Sequence, residues 1–427
     1  MTDIQEQLAQ LRQRIAKIDK KFADPKFTTP GFQKPAPRPP NPEKYFVEEW
    51  LSGCEVDTGH GCHWETERLY ERHRRHGSIG ISDLEDLTGS FLHPISNGQI
   101  PDSIPRKWAF LDTETTGLAG GAGTYAFLIG VGSITPEGFR VKQFFMREFC
   151  EETSQLVALA EYLEQFDVLI TYNGITYDQP LLETRYRMSR ARPPFARLVH
   201  LDLLFGARRL WKLRFDSCRL VDLENQILGV ERQGDVPGAL IPYVYFDYLR
   251  TKQAARLLPV LQHNAMDIVS LACLAGIVPY AFRDPVSVPH GSPLRQGPPL
   301  RHGSEMCGIA RWLRQAGELD QSRTLFRRAV EAGLADDLLF RTLWDIAALE
   351  RKLGAGDAAL AVWTDLAAAR NPYRVRALEE LAKHYEHREK NPALALEMTR
   401  AALQYGDSPE LRKREERLVA RTGRVRL

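Results

Sequence analysis

Prolines partition this chain before any other feature does. Seven fall between Phe22 and Tyr45, and five more, with three glycines, between Asp284 and Gly303. Proline fixes φ and removes the backbone N–H, so neither stretch can run through a helix or the middle of a sheet. The breaks divide the chain into a helix-like segment at 1–22, a linker at 23–44, a body at 45–283, a second linker at 284–303 and a tail at 304–427. With 43% hydrophobic and 26% charged residues, a body of that size can bury a large core. Six cysteines among 427 residues exclude a disulfide scaffold. The opening MTDIQEQLAQ has charges where a signal peptide has an apolar run, so the protein is expected in the cytoplasm. Residues 115–136 are uncharged but glycine-rich, which reads as strand and turn; no membrane is expected as a partner.

The two ends read as helix. Ile4, Leu8, Leu11, Ile15, Ile18 and Phe22 alternate spacings of four and three, one apolar stripe expected to dock on its own protein. In the tail, GELDQSRTLFRRA (317–329), GAGDAALAVWTDL (354–366) and KNPALALEMTRAA (390–402) can be superposed. Small residues recur at Ser322, Ala359 and Ala395, and a groove-filling position at Phe326, Trp363 and Thr399. The periods, 37 and 36 residues, are near the 34 of a tetratricopeptide (TPR) repeat, so the tail is expected to be an all-α, TPR-like array that offers a concave surface to a protein.

The body alternates. WAFLD (108–112), TYAFLIGVGSI (124–134) and FRVKQFFM (139–146) read as three strands. A helix at 152–164, a strand at 168–172, a helix at 179–190, a strand at 198–202 and helical stretches at 219–228 and 254–277 follow. That order predicts an α/β fold, a mixed sheet with helices on both faces.

Carboxylates gather at the strand ends. Asp112 and Glu114 close the first strand; alternation puts both on one face, and Thr115-Thr116-Gly117 then turns where a substrate backbone can come close. Asp178 follows the strand VLITY and the turn Asn173–Tyr177, at the start of a helix. His263 and Asp267, four apart, share a helix face. Asp202 ends another strand, either near the site or as a helix N-cap. Asn173 either orients Asp178, touches substrate or serves the turn. Four acids in one cleft repel unless cations fill it, and hard oxygen donors favour two Mg²⁺ or Mn²⁺ ions. Such a pair suits phosphodiester hydrolysis, with a neutral histidine taking a proton from water.

Between Glu183 and Arg219, ten Lys/Arg face three acids. Arg185, Arg208, Arg209 and Lys212 in this belt are expected to touch nucleic-acid phosphates, with Phe195, Trp211 and Phe215 as stacking surfaces. Cys54, His60, Cys62, His63, His73 and His76 lack the spacing of a zinc finger or ribbon.

FLDTETTG, TYNGITYD and QHNAMD resemble the three motifs of the DEDD superfamily of 3′–5′ exonucleases. HLDLLFGARRLW (200–211), QGDVPGALIPYVYFDYL (233–249) and HNAMDIVSLACL (263–274) resemble the YprB-type branch of RNase H-like proteins, whose members tend to carry a TPR-like tail. The resemblance spans about 105–280 and implies an RNase H-like domain. It implies that Asp112 would bridge two metals, Glu114 and Asp267 complete one site, Asp178 hold the other, and His263 act as general base. The histidine stands four residues before the last aspartate, the spacing of tyrosine-type members; histidine-type members use five. The expected substrate is a single-stranded 3′ end, DNA favoured over RNA, in a repair role beside a partner such as a helicase. An RNA-processing exonuclease and a catalytically silent nucleic-acid scaffold are the alternatives.

Overall fold

The apolar run at Trp108 becomes the central strand in this computed structural model, which describes residues 46–96, 98–100, 103–117, 123–283, 285–286 and 300–425. The expected helix at 1–22 and linker at 23–44 lie outside the described residues, as does most of the 284–303 linker. The strands are β1 (Gly53–Asp57), β2 (Cys62–Glu71), β3 (Trp108–Thr115), β4 (Ala126–Thr135), β5 (Gly138–Phe145), β6 (Val168–Thr171) and β7 (Val199–Asp202). They form a seven-stranded mixed sheet in the order β1-β2-β5-β4-β3-β6-β7. β3, β4 and β5 pair antiparallel, whereas β6 runs parallel to β3 and β7 to β6. Parallel neighbours need crossovers. Helices α1 (Glu152–Leu163) and α2 (Asp178–Met188) lie between β5 and β6 and between β6 and β7. This is the mixed sheet flanked by helices that the element order predicts.

The β1–β2 hairpin is an addition. Its sequence, GCEVD and CHWETERLYE, hides strand alternation under charge; β1 forms the edge of the sheet. β2 pairs with β5 from Trp64–Phe145 to Glu71–Gly138 and widens the sheet by two strands. The Cys/His-rich segment is therefore structural. His63 is buried between the Ser154 hydroxyl (2.8 Å) and Glu65 (3.2 Å). His76 meets the Ser270 hydroxyl at 2.7 Å, and burial pushes its pKa down to about 4.

Helices α3 (Leu203–Trp211), α4 (Ile241–Thr251) and α5 (Leu258–Ala275) follow β7 in the body. The stretch 254–283 is long and apolar enough to cross a bilayer, but its most apolar window is 83% buried inside the fold. α5 packs across β3, β4 and β5. Its approach depends on Gly130, where a Cβ would sit 2.2 Å from Asn264 Oδ1 and 2.3 Å from Ile268 Cδ1. Gly130→Ala is thus expected to cost about 1–3 kcal/mol by overpacking, and to displace Asn264. Urea unfolding checks this; unchanged stability would mean that α5 can retreat freely.

In the tail, α6 (Gly303–Ala316) packs with α7 (Leu319–Glu331), α8 (Asp336–Lys352) with α9 (Gly356–Ala368), and α10 (Arg374–His387) with α11 (Pro392–Tyr405), followed by α12 (Pro409–Val425). Ser322, Ala359, Ala395, Phe326, Trp363 and Thr399, the positions that superpose in the sequence, are all buried. α6 docks on α3 at Gly308, where a Cβ would lie 2.1 Å from the Arg209 carbonyl oxygen, and Arg214 pairs with Glu305 at 2.6 Å. Cys273 and Cys307 are buried, Cys218 is half-buried and Cys150 exposed.

Candidate active site

β3 enters the core as Trp108–Leu111, all buried, and emerges half-buried from Asp112 onward. Its carboxyl end therefore presents acids to a cleft instead of burying them outright. Asp112 Oδ2 accepts a hydrogen bond from Asn264 Nδ2 at 2.8 Å. The Asn264 amide is oriented from behind, because its Oδ1 accepts from Gln143 Nε2 at 2.8 Å. Gln143 also donates to the Leu261 carbonyl, tying β5 to α5 beneath the acid.

Asp178 stands at the first turn of α2, and the Thr113 hydroxyl donates to its Oδ1 at 2.5 Å. The loop before it is held by Asp202, whose carboxylate accepts from the Asn173 N–H (2.7 Å) and the Ile175 N–H (3.2 Å). The same carboxylate caps α3 through the Leu204 N–H at 3.0 Å. Asp202 thus serves as an N-cap and as the anchor of the loop that carries Asp178. Asn173 takes the left-handed conformation at φ 69°, the role of a turn residue.

His263 Nε2 lies 3.4 Å from Asp267 Oδ2 and 3.9 Å from Glu114 Oε1. One ligand atom from each of Glu114, His263 and Asp267 falls within 4.8 Å of the others. Asp112 and Asp178 join Glu114 in the same crowded field. Burial, then repulsion from Asp267 and Asp178, pushes the Asp112 carboxyl well above the usual range. Burial, then Asp112, Asp267 and Asp178, does the same to Glu114. Asp178 is raised to about 6, chiefly by burial, although the Thr113 hydrogen bond opposes the rise. Crowded carboxylates that resist ionising, joined by one imidazole, are a donor set that fits hard divalent cations.

The sign of the pH effect follows. An acid whose folded pKa is raised stabilises the fold while protonated, and that stability is lost as pH climbs to the folded pKa. For Asp178 the window is 3.8 to about 6. Mn²⁺ is therefore expected to raise the melting temperature more at pH 7.5 than at pH 5. Thermal melts across that range check it; a shift independent of pH would contradict the site.

Three charged residues here escaped the motif reading. Arg232 is 7% exposed and donates to Glu224 at 2.5 Å and to Asp267 Oδ1. Glu224 is fully buried and is presented by a π-helical turn, Glu224–Leu228. Asp235 meets His263 from the other side.

The expected nucleic-acid contacts divide. Arg208, Arg209 and Lys212 are exposed at the far end of α3. Arg185 is not a surface contact: it is 2% exposed, paired with Glu152 at 2.5 and 2.6 Å and placed over the Tyr125 ring. Its helix position faces α1, where only a paired charge is tolerated. The Thr115 hydroxyl closes its own turn onto the Gly117 carbonyl at 2.8 Å. Trp211 and Phe195 are buried, and Phe215 is half-buried under the Arg214 guanidinium, so none of the three is an open stacking surface. Beside Asp178, Ile175 and Tyr177 are exposed instead.

Residues 109–278 match a domain described as RNase_H_2, of the RNase H superfamily. The uncharacterized protein YprB of Bacillus subtilis (strain 168) is 32% identical over 368 residues, covering 84% of each chain. Among solved structures, the family B DNA polymerase of the hyperthermophilic archaeon Pyrobaculum calidifontis aligns with 60% of this chain and 34% of its own, at 12% identity and a TM-score of 0.32.

Proposed function

This chain belongs to the YprB family of RNase H-superfamily proteins, and on that premise we propose that it is a metal-dependent 3′–5′ exonuclease of the DEDD type. The observation that carries the reading is the meeting of Asp112, Glu114, Asp178, Asp267 and His263 at the carboxyl end of β3. In this reading the four acids hold two Mg²⁺ or Mn²⁺ ions. When bound, these neutralise the acids and supply Lewis acidity for phosphodiester hydrolysis. His263 Nε2 takes a proton from the attacking water. Asp202 fixes the 173–177 loop, so that Asp178 is held and Ile175 and Tyr177 flank the terminal nucleotide. Arg208, Arg209 and Lys212 bind backbone phosphates farther along the strand, sequence-independently.

The substrate we favour is a single-stranded DNA 3′ end, produced in repair by a helicase docked on the TPR-like tail in the cytoplasm. Strand polarity tests the reading. With Mn²⁺, a 5′-labelled single strand should give a ladder of shortening products, and a 3′-labelled strand should release labelled mononucleotide at once. Internal fragments from both labels would instead mean an endonuclease. Faster degradation of RNA than of DNA would move the role to RNA processing. Affinity capture with the full chain that recovers no helicase would remove that partner.

A further inference from the structure

We infer that Asp235 is a positioning residue for this reaction, fixing His263 in the tautomer that leaves Nε2 free to accept a proton. The inference rests on the nuclease reading of the site above. Asp235 Oδ1 lies 2.7 Å from His263 Nδ1. The same oxygen accepts the Val236 N–H at 3.0 Å, and Oδ2 faces Arg232 Nη1 at 3.4 Å, so the carboxylate is held from two sides. Gly234, at φ 70°, supplies the turn that brings it there.

A carboxylate can only accept, so the hydrogen shared with His263 belongs to Nδ1. In the neutral ring Nε2 then carries a bare lone pair, turned towards Asp267 and Glu114 at 3.4 and 3.9 Å. Arg232 makes this arrangement conditional. Its Nη1 is 3.3 Å from the same Nδ1, and a guanidinium can only donate. With Asp235 gone, Arg232 would offer its hydrogen to Nδ1, and the ring would carry its own on Nε2. Asp235 thus decides which of two opposite partners sets the tautomer. No hydrogen bond or ion pair joins Asp235 to Asp112, Glu114, Asp178 or Asp267, although its charge adds to the repulsion on Glu114.

Two measurements test this on the full chain. In protein carrying ¹⁵N-histidine with Mg²⁺, the His263 signal, identified by its absence in His263→Ala, should report Nδ1–H in wild type and Nε2–H in Asp235→Ala. In single-strand hydrolysis, Asp235→Ala should lower kcat about 10–100-fold, the range for residues that orient an active group. KM and the Mn²⁺ midpoint of the thermal shift should stay within about threefold of wild type, since Asp235 bonds to none of the four acids and His263 keeps its place on α5. His263→Ala with Asp235→Ala should be no slower than His263→Ala alone. An unchanged tautomer, a change in KM instead of kcat, or a double variant slower than His263→Ala would each overturn the inference. A wild type inert on every substrate sinks the nuclease reading instead, and the spectrum still decides whether Asp235 sets the ring.

Discussion

Asp112→Asn should lower hydrolysis by about 10³-fold or more while making the metal-free protein more stable. The opposed signs follow from one carboxylate. In the fold, Asp112 is pressed by burial, Asp267 and Asp178, and ionising it is unfavourable. Asparagine removes that charge yet keeps an oxygen for the Asn264 amide, whose orientation Gln143 already fixes. A gain in the stability of the metal-free protein is expected, because the charge that burial, Asp267 and Asp178 oppose is gone. The stabilisation by Mn²⁺ should shrink in the same variant, because the neutral amide is a poorer ligand. Urea unfolding with and without Mn²⁺ separates the two effects. A variant that is inactive and also less stable without metal would mean that Asp112 holds the fold together, which the geometry denies.

Arg232→Met should be the most destabilising single change at this centre. It strands Glu224, fully buried, and frees Asp267 from its guanidinium partner. Breaking a buried pair by removing one member costs about 3–5 kcal/mol, because the remaining charge has nowhere to go. Replacing both members can be nearly neutral, so adding Glu224→Gln should recover most of the loss. Equilibrium unfolding at pH 7.5 of the single and double variants checks this. A single variant within about 1 kcal/mol of wild type, or a double variant no better than the single, would contradict the pairing.

How much of this was legible in the sequence depended on the range of the interaction. Asp112 and Glu114 sit on a strand whose alternation is local, and His263 and Asp267 lie one helical turn apart. Such patterns can be read because the backbone period dictates which side chains share a face. Arg232 and Asp235 follow no period. They stand in the irregular segment after Gly229, and their partners His263 and Asp267 are 28 and 35 residues away. Their only sequence signal was position within QGDVPG and the residues before it. Arg185 failed for the opposite reason: a count of basic residues records charge but not burial, and its partner Glu152 lies 33 residues upstream. Trp211 and Phe195 were apolar enough to be core, and the core took them. The β1–β2 hairpin was hidden because both of its strands carry charge on positions that a buried central strand would keep apolar.

The proposed nuclease function requires that these acids hold cations for phosphodiester hydrolysis. The most direct measurement is hydrolysis of one 5′-labelled single-stranded DNA by wild type, Asp112→Asn and His263→Ala, each with Mn²⁺ and with chelator. Wild type should cleave and chelator should abolish the cleavage, Asp112→Asn should give none, and His263→Ala should keep a residual rate about 10²–10⁴-fold down. Cleavage that survives chelator, or an Asp112→Asn protein as active as wild type, would contradict that function.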